Sequence, residues 1–389
     1  MFIKAPKEKF ISMLNIIQNA VSTKTSMQQL NNFYIGVKGN VINISATDLE
    51  IFVEAKFDLS DGEKEKVELK DGECTIPAKR FIDMVKEQEA GKLIEVKVDE
   101  KFRVDVRCGR SHFNLPGISS KEYPEPLEFP KQKIISLPAV LLKEMIEKTI
   151  FAASVEDVRY ALNGVYFVVD KSSSGTLKST LKLISTDSRR LAFAEGVIDA
   201  AKFAQSVIVP QKALHELSRL MDLSPDASDV KIGFSDNQIS FGINAATLSS
   251  RLIDGEFPNY ERVIPKESQI AAKIKSKELL TALKQLQFLA QDKSSAVKFL
   301  LKKNLLTIIA SVQGIGHGEV ELDIDYSDKP LEIVFNLNFL VDFLKIVHDG
   351  EIKMDLISAV NPVVFSVASL EATPQLKKYL YIVMPIRTE

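Results

Sequence analysis

The strongest constraint on the fold is a weak threefold repeat that runs through the 389 residues. Each copy opens with a segment whose apolar residues recur at helical spacing, and these segments begin at Pro6, Pro138 and Lys275. In the third segment, for example, Leu279 and Leu283 fall on one face of the predicted helix. Because the copies recur at intervals of roughly 130 positions, the chain is predicted to contain three similar units.

A second helix is predicted in each copy, directly after a short strand that ends at Pro or Asn. The strand and helix segments are CTIPAKRFIDMVKEQ from Cys74, VIVPQKALHELSRLM from Val207 and IVFNLNFLVDFLKIV from Ile333. They follow the same period as the first helices, so two independent features support the repeat.

A β-hairpin is predicted after each second helix, with turns at Asp99-Glu100, Asp236-Asn237 and Asn361-Pro362. Between its two helices each copy again has the pattern of strands. The pairs Thr47-Asp48 and Thr186-Asp187 fall at equivalent places in the first two copies. The order helix, strands, helix, hairpin therefore recurs along the chain.

The boundaries between units are predicted in two Pro-rich stretches, at 123–133 and 257–268. The predicted domains are 1–131, 132–267 and 268–389. Each would contain two helices packed on antiparallel sheets, which is an α+β arrangement.

The composition indicates a folded protein, because 45% of residues are hydrophobic and 26% are charged. No segment approaches ~18 uninterrupted apolar residues, so neither export nor a membrane span is predicted. Cys74 and Cys108 stand alone and form no CxxC pair, which fits a reducing cytoplasm. We therefore expect a cytoplasmic protein.

The sequence offers little for catalysis. The four histidines are scattered and form no HxH or HExxH pattern. The glycine-rich stretch Gly314–Gly318 lacks the dinucleotide-binding spacing and is predicted to be a hairpin loop. An enzyme with an unrecognised site is one hypothesis, but no nucleophile, base and orienting group can be assembled. We expect no enzyme, no metal and no cofactor.

Basic residues are segregated on the predicted helices. The net charge of −2 provides no general basic excess, so any polyanion site must arise from such segregation. On the second helix of the middle copy, Lys212, His215 and Arg219 share the face opposite the apolar one. Further basic positions on predicted helices that could contribute are Lys79, Arg80, Lys86, Lys277, Lys284 and Lys345. Together these faces predict a salt-sensitive contact with DNA phosphates that does not depend on base sequence.

Four motifs, in this order and spacing, resemble those of the bacterial DNA sliding clamp family, the beta subunit of DNA polymerase III holoenzyme. They are VRYALNG at 158–164, STDSRRLA at 185–192, FPNYERVIP at 257–265 and YIVMPIR at 381–387. The resemblance spans the whole chain. It implies three clamp-type domains and a head-to-tail homodimeric ring whose helices surround duplex DNA. A polymerase bound to such a ring would be processive because the ring is topologically linked to the DNA, and tight binding to the DNA would not be needed.

The resemblance also implies the partners. They would be a second copy of the chain, double-stranded DNA without sequence specificity, the replicative DNA polymerase, the clamp loader, and repair and other polymerases that bind through linear motifs. No membrane is implied. The resemblance adds Lys24 and Lys148 to the predicted DNA contacts and points Lys277 into the hole.

A hydrophobic cleft between the middle and last domains is the implied site for linear motifs. Its deep subsite would take the apolar C-terminal residues of a peptide and would be formed by Leu162, Thr186, Ser188, Arg190, Leu191, Pro258, Arg262, Val263, Ser366, Ile382 and Met384. A neighbouring subsite for a leading glutamine would be formed by Arg159, Tyr160, Asn336, Phe339, Pro385, Ile386 and Arg387. Ser188-Arg189 stands where the family more often has Gly-His, so a more positive rim and a different peptide preference are expected.

The ring interface is predicted from the same resemblance. Phe113 and Leu115, on an edge strand of the first domain, should meet Phe288 and Leu289 in the last domain of the other subunit. The basic side of an ion-pair set would come from Arg103, Arg107 and Arg110, and the acidic side from Glu319 and Glu321 alone. A monomeric, β-rich, peptide-binding adaptor that does not encircle DNA is the alternative hypothesis.

Overall fold

The computed structural model describes residues 1–22, 25–59, 67–156, 160–172, 178–265, 270–289, 295–312, 314, 316–347, 349–367 and 373–387. Two of the predicted site residues, Lys24 and Arg159, lie outside these ranges.

The described residues contain six α-helices, two for each predicted copy of the repeat. They are α1 (Lys7–Ile17), α2 (Ala78–Lys86), α3 (Ala139–Glu147), α4 (Gln211–Asp222), α5 (Ser276–Leu286) and α6 (Leu337–Ile346). Helix α1 contacts α2, and α5 contacts α6. The two helices predicted in each copy are confirmed.

The strands account for most of the remaining regular structure. They are β1 (Phe2–Pro6), β2 (Asn32–Lys38), β3 (Val41–Thr47), β4 (Ile51–Asp58), β5 (Glu68–Lys70), β6 (Gly72–Pro77), β7 (Leu93–Val98), β8 (Arg103–Cys108), β9 (Ser111–Pro116), β10 (Ile134–Pro138), β11 (Gly164–Asp170), β12 (Lys178–Thr186), β13 (Arg190–Asp199), β14 (Gln205–Pro210), β15 (Asp229–Phe234), β16 (Gln238–Ile243), β17 (Ala246–Arg251), β18 (Ile270–Lys275), β19 (Ala296–Lys302), β20 (Leu305–Val312), β21 (Gly316–Asp323), β22 (Leu331–Asn336), β23 (Glu351–Leu356), β24 (Val363–Val367) and β25 (Leu376–Val383). The predicted hairpins are β7–β8, β15–β16 and β23–β24, and all are antiparallel.

The residue before each second helix explains why strand changes to helix there. Strands β6 and β14 end at Pro77 and Pro210, whose rings fix the backbone and supply no N–H to a sheet partner. Before α6 the same position is Asn336, whose side chain accepts a hydrogen bond from Asn338 N at 2.9 Å and caps the helix. Once begun, each helix is held by an apolar face, which in α5 includes Leu279 and Leu283.

The chain divides into two compact units, and the first consists of Met1–Ala139 and Lys212–Leu252. It contains a five-stranded sheet in the order β5-β1-β7-β8-β9 and an eight-stranded sheet in the order β10-β15-β16-β17-β4-β3-β2-β6. The eight-stranded sheet joins the first and middle copies of the repeat where β17 pairs with β4, with Leu248 opposite Val53.

The second unit consists of Val140–Gln211 and Ile253–Glu389. Its eight-stranded sheet has the order β14-β11-β12-β13-β25-β24-β23-β18, and its four-stranded sheet has the order β21-β20-β19-β22. The middle and last copies meet in this unit where β13 pairs with β25, with Leu191 opposite Ile382. The two eight-stranded sheets therefore cross the boundaries of the repeat, and the domain limits 1–131, 132–267 and 268–389 remain predictions.

The glycine-rich stretch near residue 316 differs from the sequence prediction of a loop. Strand β21 begins at Gly316 and pairs antiparallel with β20, with Gly318 opposite Ala310. Glycine is used here because a Cβ on Gly318 would lie 2.8 Å from a methyl group of Leu289 and 2.9 Å from one of Leu286. The glycines thus let α5 and the segment after it pack closely on an edge strand.

Candidate functional site

A largely apolar cleft of about 720 Å³ lies in the second unit. It is built from segments that are distant in sequence, and its lining consists of Ala161, Leu162, Thr186, Ser188, Arg189, Arg190, Leu191, Glu256, Pro258, Asn259, Tyr260, Arg262, Val263, Pro362, Ile382 and Met384. Each of the four recognised motifs contributes to this lining. A cleft of this size and character fits a few apolar side chains of a ligand.

A buried apolar cluster on neighbouring strands lies against the cleft, and two of its members, Leu191 and Ile382, also line the cleft. The cluster contains Ile184 on β12, Leu191 and Phe193 on β13, Val364 on β24 and Ile382 on β25. Because side chains alternate across a strand, antiparallel pairing brings these residues to the same face of the sheet. The sheet that joins two copies of the repeat therefore supplies a rigid base.

Aromatic side chains support one wall. Tyr166 stacks on Phe257 with ring centroids 4.7 Å apart, and Tyr260 lies edge-on to Tyr166 at 6.5 Å. Phe193 contacts Tyr260 at 6.0 Å. This packing fixes the segment that carries Pro258 at the cleft.

The turn Thr186–Arg190 lines another part of the cleft, and we term its residues Ser188–Arg190 the crest. Thr186 Oγ1 donates to Arg190 O at 2.6 Å and accepts from Ser188 N at 3.0 Å. Asp187 Oδ1 accepts from Arg189 N at 2.9 Å and from Arg190 N at 3.0 Å. Ser188 has a φ of 75°, which is the left-handed region that favours glycine. Side-chain hydrogen bonds thus hold a serine where glycine would be the easier choice.

The first unit contains a copy of this turn at Thr47–Ile51. Thr47 Oγ1 donates to Ile51 O at 2.7 Å, and Asp48 Oδ1 accepts from Glu50 N and Ile51 N at 3.1 and 3.0 Å. Leu49 has a φ of 76°, almost equal to that of Ser188. The predicted equivalence of Thr47-Asp48 and Thr186-Asp187 is confirmed in its hydrogen bonds.

Arg190 is fixed by several contacts beneath the crest. Its guanidinium donates to Asp187 Oδ2 at 3.0 Å, to Asp342 Oδ2 at 2.8 Å and to the carbonyl of Phe151 at 2.8 Å. Its carbon Cζ also lies 4.5 Å from the ring centroid of Phe339. Burial opposes the charge, but neighbouring Tyr381, Asp342 and Asp187 outweigh it, so the pKa of Arg190 is raised. These contacts hold the Arg190 guanidinium in one position, so the side chain is a fixed part of the cleft lining.

A second pocket of about 570 Å³ shares the Ser188–Arg190 crest with the cleft. Its other lining residues are Phe151, Ala153, Ser154, Val155, Glu156, Asp187, Gln211 and Phe339. The Gln211 amide donates to the carbonyls of Ser154 and Asn163 at 2.7 and 3.2 Å, which fixes one side of the pocket. This pocket is more polar in its lining than the cleft, so the two together offer an apolar site beside a polar one.

Most residues predicted for the deep subsite line the cleft. Ser366 does not, although it lies two positions along β24 from Val364 and so lies on the same face of the sheet as the buried cluster. Of the predicted second subsite, Phe339 lines the second pocket. The described residues predicted there that line neither pocket are Tyr160, Asn336, Pro385, Ile386 and Arg387.

Sequence reasoning missed several lining residues. Asn259 and Tyr260 belong to a motif that was recognised, so the motif itself was an available signal. Glu256 directly precedes the motif at 257–265, so its neighbourhood was also an available signal, whereas Pro362 is brought to the cleft by the sheet that joins the two copies. For Gln211 and Phe151 in the second pocket, no local sequence pattern points to a site.

The predicted basic positions differ in their surroundings. Lys79, Arg80, Lys86, Lys277, Lys284 and Lys345 are not buried. Lys148, in contrast, forms an ion pair with Glu144 at 3.4 Å, and its Nζ lies 5.0 Å from the ring centroid of Tyr379. Lys212 and Arg219 are also paired with carboxylates. A uniformly open basic face on α4, as the sequence indicated, is therefore not what the structure contains.

Four of the nine predicted interface residues lie on two edge strands. Strand β9 closes the five-stranded sheet and carries the exposed Phe113 and the half-buried Leu115, and β21 closes the four-stranded sheet. Glu319 and Glu321 are exposed on β21, and Asp323 continues the same face two residues further on. Asp323 is therefore a third exposed carboxylate on the strand for which the sequence predicted two.

Two features of the predicted interface residues differ from the sequence prediction, namely the burial of Leu289 and the ion pairs that Arg103 and Arg107 form within their own chain. Phe288 is 66% exposed, but Leu289 is only 4% exposed, because its methyl groups pack against Gly316 and Gly318 of β21. Leu289 thus belongs to the core of its own chain. Arg103 and Arg107 are paired with Asp99 and Asp105 at 2.8 and 3.2 Å, whereas Arg110 is exposed at a hairpin turn.

Family comparisons cover nearly the whole chain. Residues 1–127, 136–259 and 261–386 match, in this order, the N-terminal, central and C-terminal domains of the DNA polymerase III beta subunit. The chain belongs to the DNA polymerase III beta subunit family. The predicted family and the α+β fold of three clamp domains are thereby confirmed.

Individual members of the beta subunit family are similar over their full length. The beta sliding clamp of Vibrio cholerae is 29% identical over 381 residues, which is 98% of each chain. The crystal structure of the Bacillus subtilis DNA polymerase sliding clamp is 25% identical and superposes with a TM-score of 0.90 over 100% of both chains. A sliding clamp from Bartonella birtlesii, solved with bound griselimycin, is 29% identical with a TM-score of 0.89 over 100% of both chains.

Beta sliding clamps are non-catalytic, so the prediction that this chain is not an enzyme is confirmed by its family. Within the part of the chain that the structure describes, no group of three or more His, Cys, Asp or Glu side chains could hold a metal ion. No helix among the described residues is long and apolar enough to span a membrane.

Proposed function

We propose that this protein is a sliding clamp that encircles duplex DNA and tethers the replicative polymerase to it. Its full-length similarity to DNA polymerase sliding clamps is the observation that carries this proposal. The accessible basic residues of α2, α5 and α6 support it, because contacts with phosphates are non-directional and allow movement along the duplex. The monomeric adaptor alternative has no support among the full-length relatives.

Ring closure is proposed to occur by head-to-tail pairing of two chains through β9 of one and β21 of the other. Both are edge strands with unpaired backbone groups, so each can accept another strand. Phe113 and Phe288 offer exposed apolar surface, and Arg110 faces no described carboxylate partner. The carboxylates of β21 supply opposite charge for the basic side. The oligomeric mass tests this directly, because a closed ring requires a stable species of twice 43.4 kDa.

The cleft is proposed to take a short linear motif from each protein partner. Apolar residues of the motif would enter the cleft, and polar residues would cross the crest into the second pocket. Exposed apolar side chains at the rim, such as Val263 at 37% and Met384 at 38%, are suited to this role because they would be covered by the ligand. The partners we propose are the replicative polymerase, the clamp loader, and repair and other polymerases, all acting in the cytoplasm.

A peptide-binding measurement tests the cleft. A synthetic peptide with a leading glutamine and two apolar residues at its C-terminus should bind with modest affinity and should be displaced by griselimycin, which a related clamp binds. Replacing Val263 with Asp should abolish binding, because a carboxylate would then enter an apolar site. The matched control is Val360→Asp, since Val360 is exposed but lines neither pocket.

A further inference from the structure

The cations of the middle repeat's two helices all have carboxylate partners. On α3, Lys143 pairs with Glu147 at 3.9 Å, and Lys148, directly after the helix, pairs with Glu144 at 3.4 Å. On α4, the two basic residues other than His215 are Lys212 and Arg219, and both are in ion pairs. The middle repeat therefore presents little uncompensated positive charge on its helices.

Arg219 is the most constrained of these cations. It pairs with Glu216, whose side chain is only 5% exposed, and its Nε donates to Glu216 Oε2 at 3.0 Å. Its two terminal nitrogens donate to the carbonyls of Asn15 and Ile16 at 2.5 and 2.7 Å. These are last-turn carbonyls of α1, which have no partner within their own helix. Asn19 adds a hydrogen bond to Glu216 at 3.3 Å. Arg219 thus ties α4 to the end of α1.

Lys212 makes a second tie within the same unit. Its ammonium pairs with Glu50 at 2.5 Å and also with Asp48. These two carboxylates belong to the Thr47–Ile51 turn, whose Asp48 side chain also holds the turn itself. Lys212 therefore fastens the start of α4 to the first copy of the repeat.

The helices of the first and last repeats are different. Lys79, Arg80 and Lys86 on α2 are accessible, and none has a carboxylate partner among the described residues. The same holds within those residues for Lys277 and Lys284 on α5 and for Lys345 on α6. These side chains can approach a phosphate without first leaving an anion.

We infer that the clamp's electrostatic contact with DNA comes from the first and last repeats, while Lys212 and Arg219 of the middle repeat act as internal ties and contact no phosphate. This inference rests on the proposed function. A cation already paired with a buried or close carboxylate would have to leave that partner to reach a phosphate, and its departure would strand the carboxylate. Such a paired cation also displaces fewer of the counterions that are condensed on the DNA, because its charge is already compensated by the carboxylate.

Salt dependence separates a phosphate contact from an internal tie. The logarithm of the binding constant for duplex DNA falls linearly with the logarithm of salt concentration, and the absolute value of the slope decreases by about 1 for each phosphate that the protein no longer neutralises. The probe is a short linear duplex with a fluorescent label, which can thread into a closed ring through its ends. The variants are Lys212→Gln, Arg219→Gln, Lys79→Gln/Arg80→Gln and Lys277→Gln/Lys284→Gln, each measured between about 50 and 200 mM salt.

We expect Lys212→Gln and Arg219→Gln to keep the slope of the unaltered protein, whereas each double variant should flatten it by about 1 to 2. Because Arg219→Gln leaves a buried carboxylate without its partner, Glu216→Gln/Arg219→Gln is measured beside it, and Lys212→Gln provides an exposed site that folding tolerates. A flattening by Lys212→Gln or Arg219→Gln equal to that of a double variant overturns the inference alone. Binding of the unaltered protein that is independent of salt would overturn the proposed function as well.

Discussion

Arg190 and Asp342 join the crest of the cleft to helix α6, through a hydrogen bond of 2.8 Å from Arg190 Nη1 to Asp342 Oδ2. Arg190 begins β13, and Asp342 lies in the middle of α6. Tyr381 on β25 donates to the carbonyl of Phe339, also on α6, at 2.9 Å. The wall shared by the two pockets is thus supported from the last repeat, although it is encoded in the middle one.

Replacing Asp342 with Asn should loosen this wall. Asp342 is more than a third exposed, so we expect a decrease of only about 1 kcal/mol in the free energy of unfolding. Peptide affinity should fall severalfold, because the crest is no longer fixed before binding. Urea denaturation and peptide titration measure the two effects, and Asp349→Asn, at an exposed position of the same unit, is the control. Unchanged peptide affinity in Asp342→Asn would contradict this role of the ion pair.

The neighbours Phe288 and Leu289 should respond in opposite ways to truncation. Leu289→Ala removes a buried side chain and should lower the free energy of unfolding by about 2 to 4 kcal/mol. Phe288→Ala removes an exposed ring and should leave the fold intact, but it should raise the dimer dissociation constant by about tenfold. Sedimentation equilibrium and thermal unfolding distinguish the two. If Phe288→Ala left dimerisation unchanged, the proposed interface would be misplaced.

Removing residues 384–389 should abolish peptide binding and preserve the dimer. Met384 lines the cleft, and its amide donates to the carbonyl of Arg189 at 2.9 Å, while Ile386 N donates to Val334 O at 2.7 Å. The edge strands β9 and β21 contain none of these residues. Removal of residues 388–389 alone is the control. Simultaneous loss of peptide binding and dimerisation in the longer deletion would mean that the cleft has been assigned to the wrong surface.

The edge hairpin β8–β9 should show a specific dependence on pH. A hydrogen bond of 2.5 Å with His112 is the largest cause that lowers the pKa of Asp105. A lowered folded-state pKa contributes stability above the ordinary value of about 3.9 and loses that contribution as pH falls through the lowered value. The hairpin should therefore weaken only in acid below about pH 4. Carboxyl resonances followed by NMR should place the pKa of Asp105 higher in His112→Gln, and His317→Gln is the control.

Sequence was sufficient for features that depend on local pattern. The helix pairs follow from apolar periodicity and from residues such as Pro77 and Pro210, and the hairpin turns follow from polar turn residues. The turn at Thr47 was also recognisable, because its Thr-Asp pair is repeated at Thr186 with the same hydrogen bonds.

Features that depend on distant pairing were beyond the sequence. The pairing of β17 with β4 and of β13 with β25 joins segments from different copies, and no local pattern encodes it. The burial of Leu289 depends on Gly316 and Gly318, whose lack of side chains suggested a loop when they were considered alone. The sequence likewise suggested that Arg219 lies on an open basic face, whereas in the structure its guanidinium donates hydrogen bonds to the carbonyls of Asn15 and Ile16.

Topological linkage to DNA is the central claim, and a circle that is later cut tests it most directly. The protein is loaded by its clamp loader onto a nicked circular plasmid and separated from free protein by gel filtration at high salt, and the plasmid is then linearised by one restriction cut. We predict that the protein stays with the circle at high salt and leaves within minutes of linearisation, because only the ends allow the ring to slide off. Release from the intact circle as salt rises, at the same rate as from the cut one, would contradict the claim.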